Sequence, residues 1–282
     1  MNNKTRSERT LVRVHLTNVV GAGASQLLLS LLPALEANQG ACVEVLYLPD
    51  NGPLNGYMPA NRNTRCITYR RCLPNAISRI LECTIFGNRF KGKAPLLVLG
   101  DLPVRCETHQ VVFVQTTHLV HASTSNSLAS NIKFWIARQI FALNQKYVAA
   151  FIVQTEFMRS ALLAAYPELQ GRVHIVAQPV PGWLLKNRVQ CSGRSISRDT
   201  DLRLFYPAAD YPHKNHQLLA RASDLAEWPI ESLQLTLESF ANPAPKIEWV
   251  KCIGFLSSEQ MRKAYAETDA LLFLSHTESF GF

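Results

Sequence analysis

Short apolar runs, each followed by a stretch of helical spacing, constrain this chain more than any other feature. Residues 96–99, 111–114 and 149–153 are wholly apolar, and residues 12–16 and 43–48 largely so. A strand wetted on one side alternates polar and apolar residues, whereas short continuous runs suit strands covered on both faces, as in a parallel sheet. Residues 27–35, 75–86, 127–147 and 156–166 read as the covering helices, with Thr155 as an N-cap for the last of them. A further short strand at 174–176 closes this first round of strands and helices.

The pattern then restarts. Between residues 186 and 200 the composition turns to Ser, Arg, Gly and Asn, as in an exposed connection between domains. Beyond it come strand candidates at 202–206, 233–237, 248–252 and 270–274, with helices at 214–226 and 257–266. The expectation is an α/β chain with a first domain at 1–185, a linker at 186–201 and a second domain at 202–282, both with parallel sheets and right-handed crossovers. A length of 282 residues with 47% hydrophobic content suits two domains.

Charge and cysteine usage narrow the function classes. The net charge of +8 comes entirely from the first part: residues 1–180 hold 18 Lys and Arg against 9 Asp and Glu, and residues 181–282 hold 11 against 12. Within residues 62–93, Arg62, Arg65, Arg70, Arg71, Arg79, Arg89, Lys91 and Lys93 face only one acid, Glu82. Such a stretch either attracts an anionic surface, such as the inner face of a membrane, or is a solvated face that confers solubility. It lacks the aromatic interleaving of nucleic-acid modules, so no nucleic acid partner is expected. The seven scattered cysteines form no Cys-x-x-Cys pair and read as reduced thiols. The polar first ten residues do not resemble a secretory signal, which makes a cytoplasmic location the expectation.

Four segments could carry chemistry. A glycine turn, Gly21-Ala22-Gly23, joins the first strand to a helix, a geometry that lets backbone amides approach a phosphate; it is equally a tight turn with no ligand. It lacks the third glycine of the dinucleotide fingerprint, and no acidic residue ends the second strand at Tyr47-Leu48, which argues against a nicotinamide or flavin enzyme. Next, Pro212-His213-Lys214-Asn215 follows a strand and opens a helix, placing a compact cation where negative charge could be held. His118 follows the strand at 111–114 and so belongs at the carboxyl edge of the sheet. His121 lies three residues on, but without a third ligand nearby a metal site is disfavoured. Finally, Ser275-His276-Thr277-Glu278-Ser279-Phe280-Gly281 follows the last strand candidate.

These segments, together with Val153-Gln154-Thr155-Glu156, occur in the order and spacing of the family 4 glycosyltransferases, and the chain resembles that family over almost its whole length. The last segment is similar to the family's S-x-x-E-x-F-G, and Pro212-His213-Lys214-Asn215 to its x-x-x-K-N/G loop, with Ala208-Ala209 where Gly-Arg is usual. The resemblance implies two Rossmann-like domains with parallel sheets (the GT-B fold), the second incomplete. It implies retaining transfer of a hexosyl-type sugar from a nucleotide-diphosphate donor to a glycan or lipid-linked acceptor, with no cofactor and no metal. It assigns Lys214, Asn215, Gly21 and Gly23 to donor binding, and His118 and Glu278 to the reacting centre. The family's second Glu would fall four positions beyond Phe282, so the chain is expected to be truncated within that motif and impaired. The alternatives are an inactive fragment or nucleotide-binding remnant, and a nucleotide-sugar epimerase of the same shape.

Overall fold

A computed structural model of the chain describes residues 10–38, 40–73, 75–120, 128–177, 201–221 and 228–276. They fall into two compact units, one within Met1–Pro181 and the other within Gly182–Glu278.

In the first unit seven parallel strands form one sheet: β1 (Thr10–His15), β2 (Ala41–Pro49), β3 (Arg65–Tyr69), β4 (Leu96–Val98), β5 (Gln110–Phe113), β6 (Val148–Val153) and β7 (Val173–Ile175). Their order is β3-β2-β1-β4-β5-β6-β7, so the chain winds outward one way from β1, then returns and winds the other way from β4. The helices are α1 (Ala22–Ala37), α2 (Asn75–Cys83), α3 (Leu128–Asn144) and α4 (Glu156–Ala165). Both faces are covered, as the continuous apolar runs require. Leu96 and Val98 of β4 enter a core shared with Phe141 of α3 and Met158 of α4, while Leu97 and Leu99 pack into a second core with Leu28 and Leu32 of α1. Thr155 caps α4 by accepting from the amide of Met158 at 3.2 Å.

The second unit has four parallel strands, β8 (Leu202–Tyr206), β9 (Ile230–Leu235), β10 (Val250–Cys252) and β11 (Ala270–Leu271), in the order β10-β9-β8-β11. Its helices are α5 (Gln217–Arg221) and α6 (Ser258–Glu267), the latter opened by a capping box in which Ser257 and Gln260 exchange bonds. The winding of the first four strands of the first unit is thus repeated.

Three sequence expectations change. The region after residue 53 contains a strand that was not foreseen, β3, whose Arg-Cys-Ile-Thr-Tyr is too polar to announce itself. Helix α1 starts at Ala22, so Gly23 lies inside it and only Gly21 remains in the turn. The basic stretch 62–93 is not all surface. Arg71 and Arg79 turn inward onto Glu82, which is fully buried: Arg79 reaches Glu82 Oε1 at 2.5 Å and Arg71 reaches Oε2 at 3.2 Å. Thr17 Oγ1 donates to the same carboxylate, and His15 Nε2 lies 2.8 Å from it.

This buried cluster fixes α2 against the ends of β1 and β4. Burial alone would raise the Glu82 carboxyl, but the Arg79 guanidinium and the bonds from His15 and Thr17 outweigh it and hold the group well below the usual carboxylate range. Burial drives the His15 imidazole the other way, below its ordinary value, and Glu82 only partly offsets this. We read His15 as the neutral Nε2–H tautomer, donating to Glu82, because two guanidiniums already balance the carboxylate. Its bare Nδ1 has no hydrogen-bond partner.

Replacing Glu82 by Gln would leave two buried guanidiniums without a counter-charge, and we expect a loss of about 3–5 kcal/mol in urea unfolding. The wild type should lose stability as pH falls below about 4.5, because the unfolded chain then binds protons that folded Glu82 refuses. In Glu82→Gln that acid slope should be shallower.

Candidate functional site

In an open α/β sheet, ligands bind beyond the carboxyl ends of the strands where the winding reverses. The second unit reverses between β8 and β11, and two of the sequence-predicted segments meet there. β8 ends at Tyr206, a buried residue. The chain then passes through a loop to a 3-10 turn, Pro212–Lys214, and to Asn215, which takes up a left-handed conformation at φ 55° and ψ 35°. Asparagine tolerates that region better than most side chains. The left-handed residue breaks the expected helix 214–226: α5 begins only at Gln217, so Lys214 stands on the turn before the helix rather than in its first turn, and residues 222–227 lie outside the described residues.

Four hydrogen bonds, two of them through Tyr206, sew this turn to the segment after β11. The Tyr206 hydroxyl donates to the carbonyl of Lys214 at 2.8 Å and lies 2.8 Å from Ser275 Oγ. Tyrosine has one proton and a carbonyl cannot donate, so the Ser275 hydroxyl must be the donor to Tyr206. The Asn215 side-chain amide donates to the carbonyl of Leu274 at 3.1 Å, and the backbone amide of His276 donates to the carbonyl of His213 at 2.9 Å. Lys214 is therefore held between β8 and the start of the Ser275-His276 segment, and the amide of Asn215 serves that clasp. Burial lowers His216 below its ordinary value, and its ring packs 5.0 Å from that of Tyr206, so the imidazole adds no charge beside Lys214. Of the two alanines where the resemblance would have Gly-Arg, Ala208 at the glycine position is buried in the core with Leu219 and Leu235, while Ala209 at the arginine position is exposed.

The first unit reverses its winding between β1 and β4. At that edge lie Thr17 and Asn18 after β1, Gly100 and Asp101 after β4, and Thr116 to His118 after β5. Gly21 is exposed, with φ −73° and open space where a Cβ would lie. The fold does not demand glycine there, nor does any side chain cap α1 at that end. Gly52 is different: at φ 75° its missing Cβ would approach the Val20 carbonyl to 3.0 Å, which lets the loop after β2 lie against the glycine turn.

Asp101, also left-handed at φ 66°, accepts from the amides of Gln115 (2.6 Å) and Thr116 (3.1 Å) and so ties the β4 loop to the turn carrying His118. Burial raises the Asp101 carboxyl, with those two bonds and Arg79 pulling back. His118 sits in a 3-10 turn, Thr117–Leu119. Its ring stacks on Phe134 of α3 at 4.0 Å, and its carbonyl accepts from Arg138 of the same helix at 3.2 Å.

Of the six residues singled out from sequence, Lys214 and Asn215 stand together in the second unit, and Gly21, Gly23 and His118 belong to the first. Glu278 lies outside the described residues. Sequence reasoning missed Tyr206 and Ser275, the hub of the clasp, and Asp101. A tyrosine as the last residue of an apolar strand was the available signal for the first.

The sequence matches no protein-family model and no curated protein. Among solved structures the chain is similar to sucrose-phosphate synthase from Thermosynechococcus elongatus, at TM-score 0.61 and 12% identity over 97% of this chain and 77% of that one. It is similar to WaaG, a glycosyltransferase involved in lipopolysaccharide biosynthesis, at 0.55 and 12% over 96% and 76%. It is similar also to UDP-GlcNAc 2-epimerase from Neisseria meningitidis bound to UDP-GlcNAc, at 0.52 and 13% over 96% and 84%. At such identities the likeness defines the fold: the chain is built on the Rossmann-like parallel sheets of the GT-B class.

Tyr206→Phe keeps the ring in the core but removes both clasp bonds. We expect a stability loss of roughly 0.5–1.5 kcal/mol for each hydrogen bond lost, read by urea unfolding, with faster hydrogen exchange at the amides of Asn215 and His276.

Proposed function

We propose that the chain is a glycosyltransferase of the family 4 type, which moves a hexosyl-type sugar from a nucleotide-diphosphate donor to a glycan or lipid-linked acceptor with retention. The observation that carries this reading is the clasp that holds Lys214 at the reversal point of the second sheet. The likeness to WaaG and to sucrose-phosphate synthase supports it. In this reading residues 202–282 bind the donor, residues 1–185 face the acceptor and residues 186–201 link them. Lys214 takes the donor diphosphate, Asn215 fixes the turn that presents it, and Gly21 and Gly23 are further donor-binding positions. His118 and Glu278 attend the sugar.

The chemistry follows from charge. As the bond between the sugar's anomeric carbon and the diphosphate oxygen breaks, negative charge grows on the leaving phosphate, and a prearranged cation lowers that barrier. The acceptor oxygen forms the new bond on the same face, and its proton passes to the departing phosphate oxygen, so no side chain need be a strong base. The acceptor side includes an anionic membrane surface, met through the exposed Arg62, Arg65, Arg70 and Lys93. No described helix is long and apolar enough to cross a membrane.

A nucleotide-sugar epimerase is the second reading, favoured by the likeness to UDP-GlcNAc 2-epimerase. Product analysis separates the two: an epimerase changes a nucleotide sugar without acceptor, whereas a transferase releases nucleoside diphosphate only as acceptor is consumed.

Thermal unfolding with a panel of nucleoside diphosphates tests donor binding. A ligand at a hundred times its Kd should stabilise by about 2.7 kcal/mol and raise the midpoint. Lys214→Ala should fold normally and weaken that ligand roughly 10- to 100-fold, the value of a charge-assisted contact. No response to any nucleotide would remove both enzyme readings.

A further inference from the structure

We propose that the outer face of α3 is a membrane-docking surface, which lays Ile132 and Trp135 into the headgroup region of an anionic bilayer. It rests on the membrane contact proposed above and adds an apolar anchor to it.

Four large apolar residues stand in water along one stripe of this helix: Leu128 is 82% exposed, Ile132 60%, Trp135 57% and Leu143 68%. Their spacing of four, three and eight residues keeps them on one face. The opposite side of α3 is fully engaged, with Ile140, Phe141 and Asn144 buried and Asn144 bonded to the carbonyls of Cys83 and Pro103. The stripe is thus a second apolar face on a helix whose core face is already satisfied. On neighbouring α2, Ile77 is also exposed.

Charge selects the occupant. No residue from 108 to 155 is acidic, while Lys133 of α3 and Lys146 just after the helix are exposed. From 51 to 107 the acids are Glu82, buried under two arginines, Asp101, turned onto backbone amides, and the exposed Glu107, paired with Lys91 at 2.6 Å. Exposed Arg62, Arg65, Arg70, Arg89 and Lys93 lie in that interval. A unit with an excess of exposed cations and a tryptophan-bearing apolar stripe on one of its helices matches interfacial docking on anionic lipid. A second copy of so basic a unit would bring like charge with it. The same helix holds His118 through Phe134 and Arg138, so docking through α3 would set the His118 turn beside the lipid surface, where a lipid-linked acceptor is anchored.

The test is cosedimentation with phosphatidylcholine vesicles with and without phosphatidylglycerol, alongside quenching of tryptophan fluorescence by brominated lipid. Wild type should bind the anionic vesicles, and Trp135→Phe should abolish most of the quenching. Ile132→Ser/Trp135→Ser should bind about tenfold or more weakly, the loss expected for removing two inserted side chains. The double variant should keep its nucleotide-induced shift in unfolding midpoint, which separates failure here from failure of the transferase reading. Equal binding by the double variant would leave only the basic attraction of residues 62–93 and overturn the anchor. So would a wild type that ignores both vesicles, or a solution dimer that the double variant abolishes.

Discussion

The reversal of winding between the first and fourth strand of each sheet is the constraint from which the rest of this structure follows. Where two neighbouring parallel strands send their chains to opposite sides, the loops beyond them part and leave a place that neither helix covers. Each unit closes that edge with one buried polar anchor. In the first it is the Glu82 carboxylate, gathering His15, Thr17, Arg71 and Arg79. In the second it is the Tyr206 hydroxyl, gathering the Lys214 turn and Ser275.

The two anchors differ in kind, and the difference bears on function. Glu82 consumes charge: it turns two arginines of a basic stretch inward and leaves no cation of its own at the edge. Tyr206 is neutral and binds Lys214 by its carbonyl, so the backbone is fixed while the ammonium group is not used by that bond. A fixed backbone beneath a long cationic side chain suits the diphosphate contact proposed for Lys214. Asp101 extends the same logic in the first unit, spending its carboxylate on two backbone amides and thereby setting the turn that carries His118.

Much of this was legible in the sequence, for physical reasons that also explain what was not. Strands buried on both faces must be continuously apolar, so β4, β5 and β6 could be read directly, and the Pro212-His213-Lys214-Asn215 turn declared itself by its proline and its cation. β3 lies at the edge of the sheet and tolerates Arg65 and Thr68, which hid it. The inward turn of Arg71 and Arg79 depends on Glu82 and His15 meeting from distant places in the chain, and a count of charges cannot show that. Asn215 stood out in the sequence only beside its lysine and not as a staple, because its bond to Leu274 spans 59 residues. The left-handed Asn215 likewise decided that Lys214 precedes the helix instead of opening it.

The proposal most exposed to refutation is that Lys214, on the turn clasped to the Ser275-His276 segment, takes a nucleotide's diphosphate. Backbone amide chemical shifts of labelled protein, followed while nucleoside diphosphates are added, test it most directly. Saturable shifts concentrated at Lys214, Asn215, Ser275 and His276 are expected with at least one nucleotide, and their loss in Lys214→Ala. Shifts that saturate elsewhere while these four amides stay fixed would contradict it.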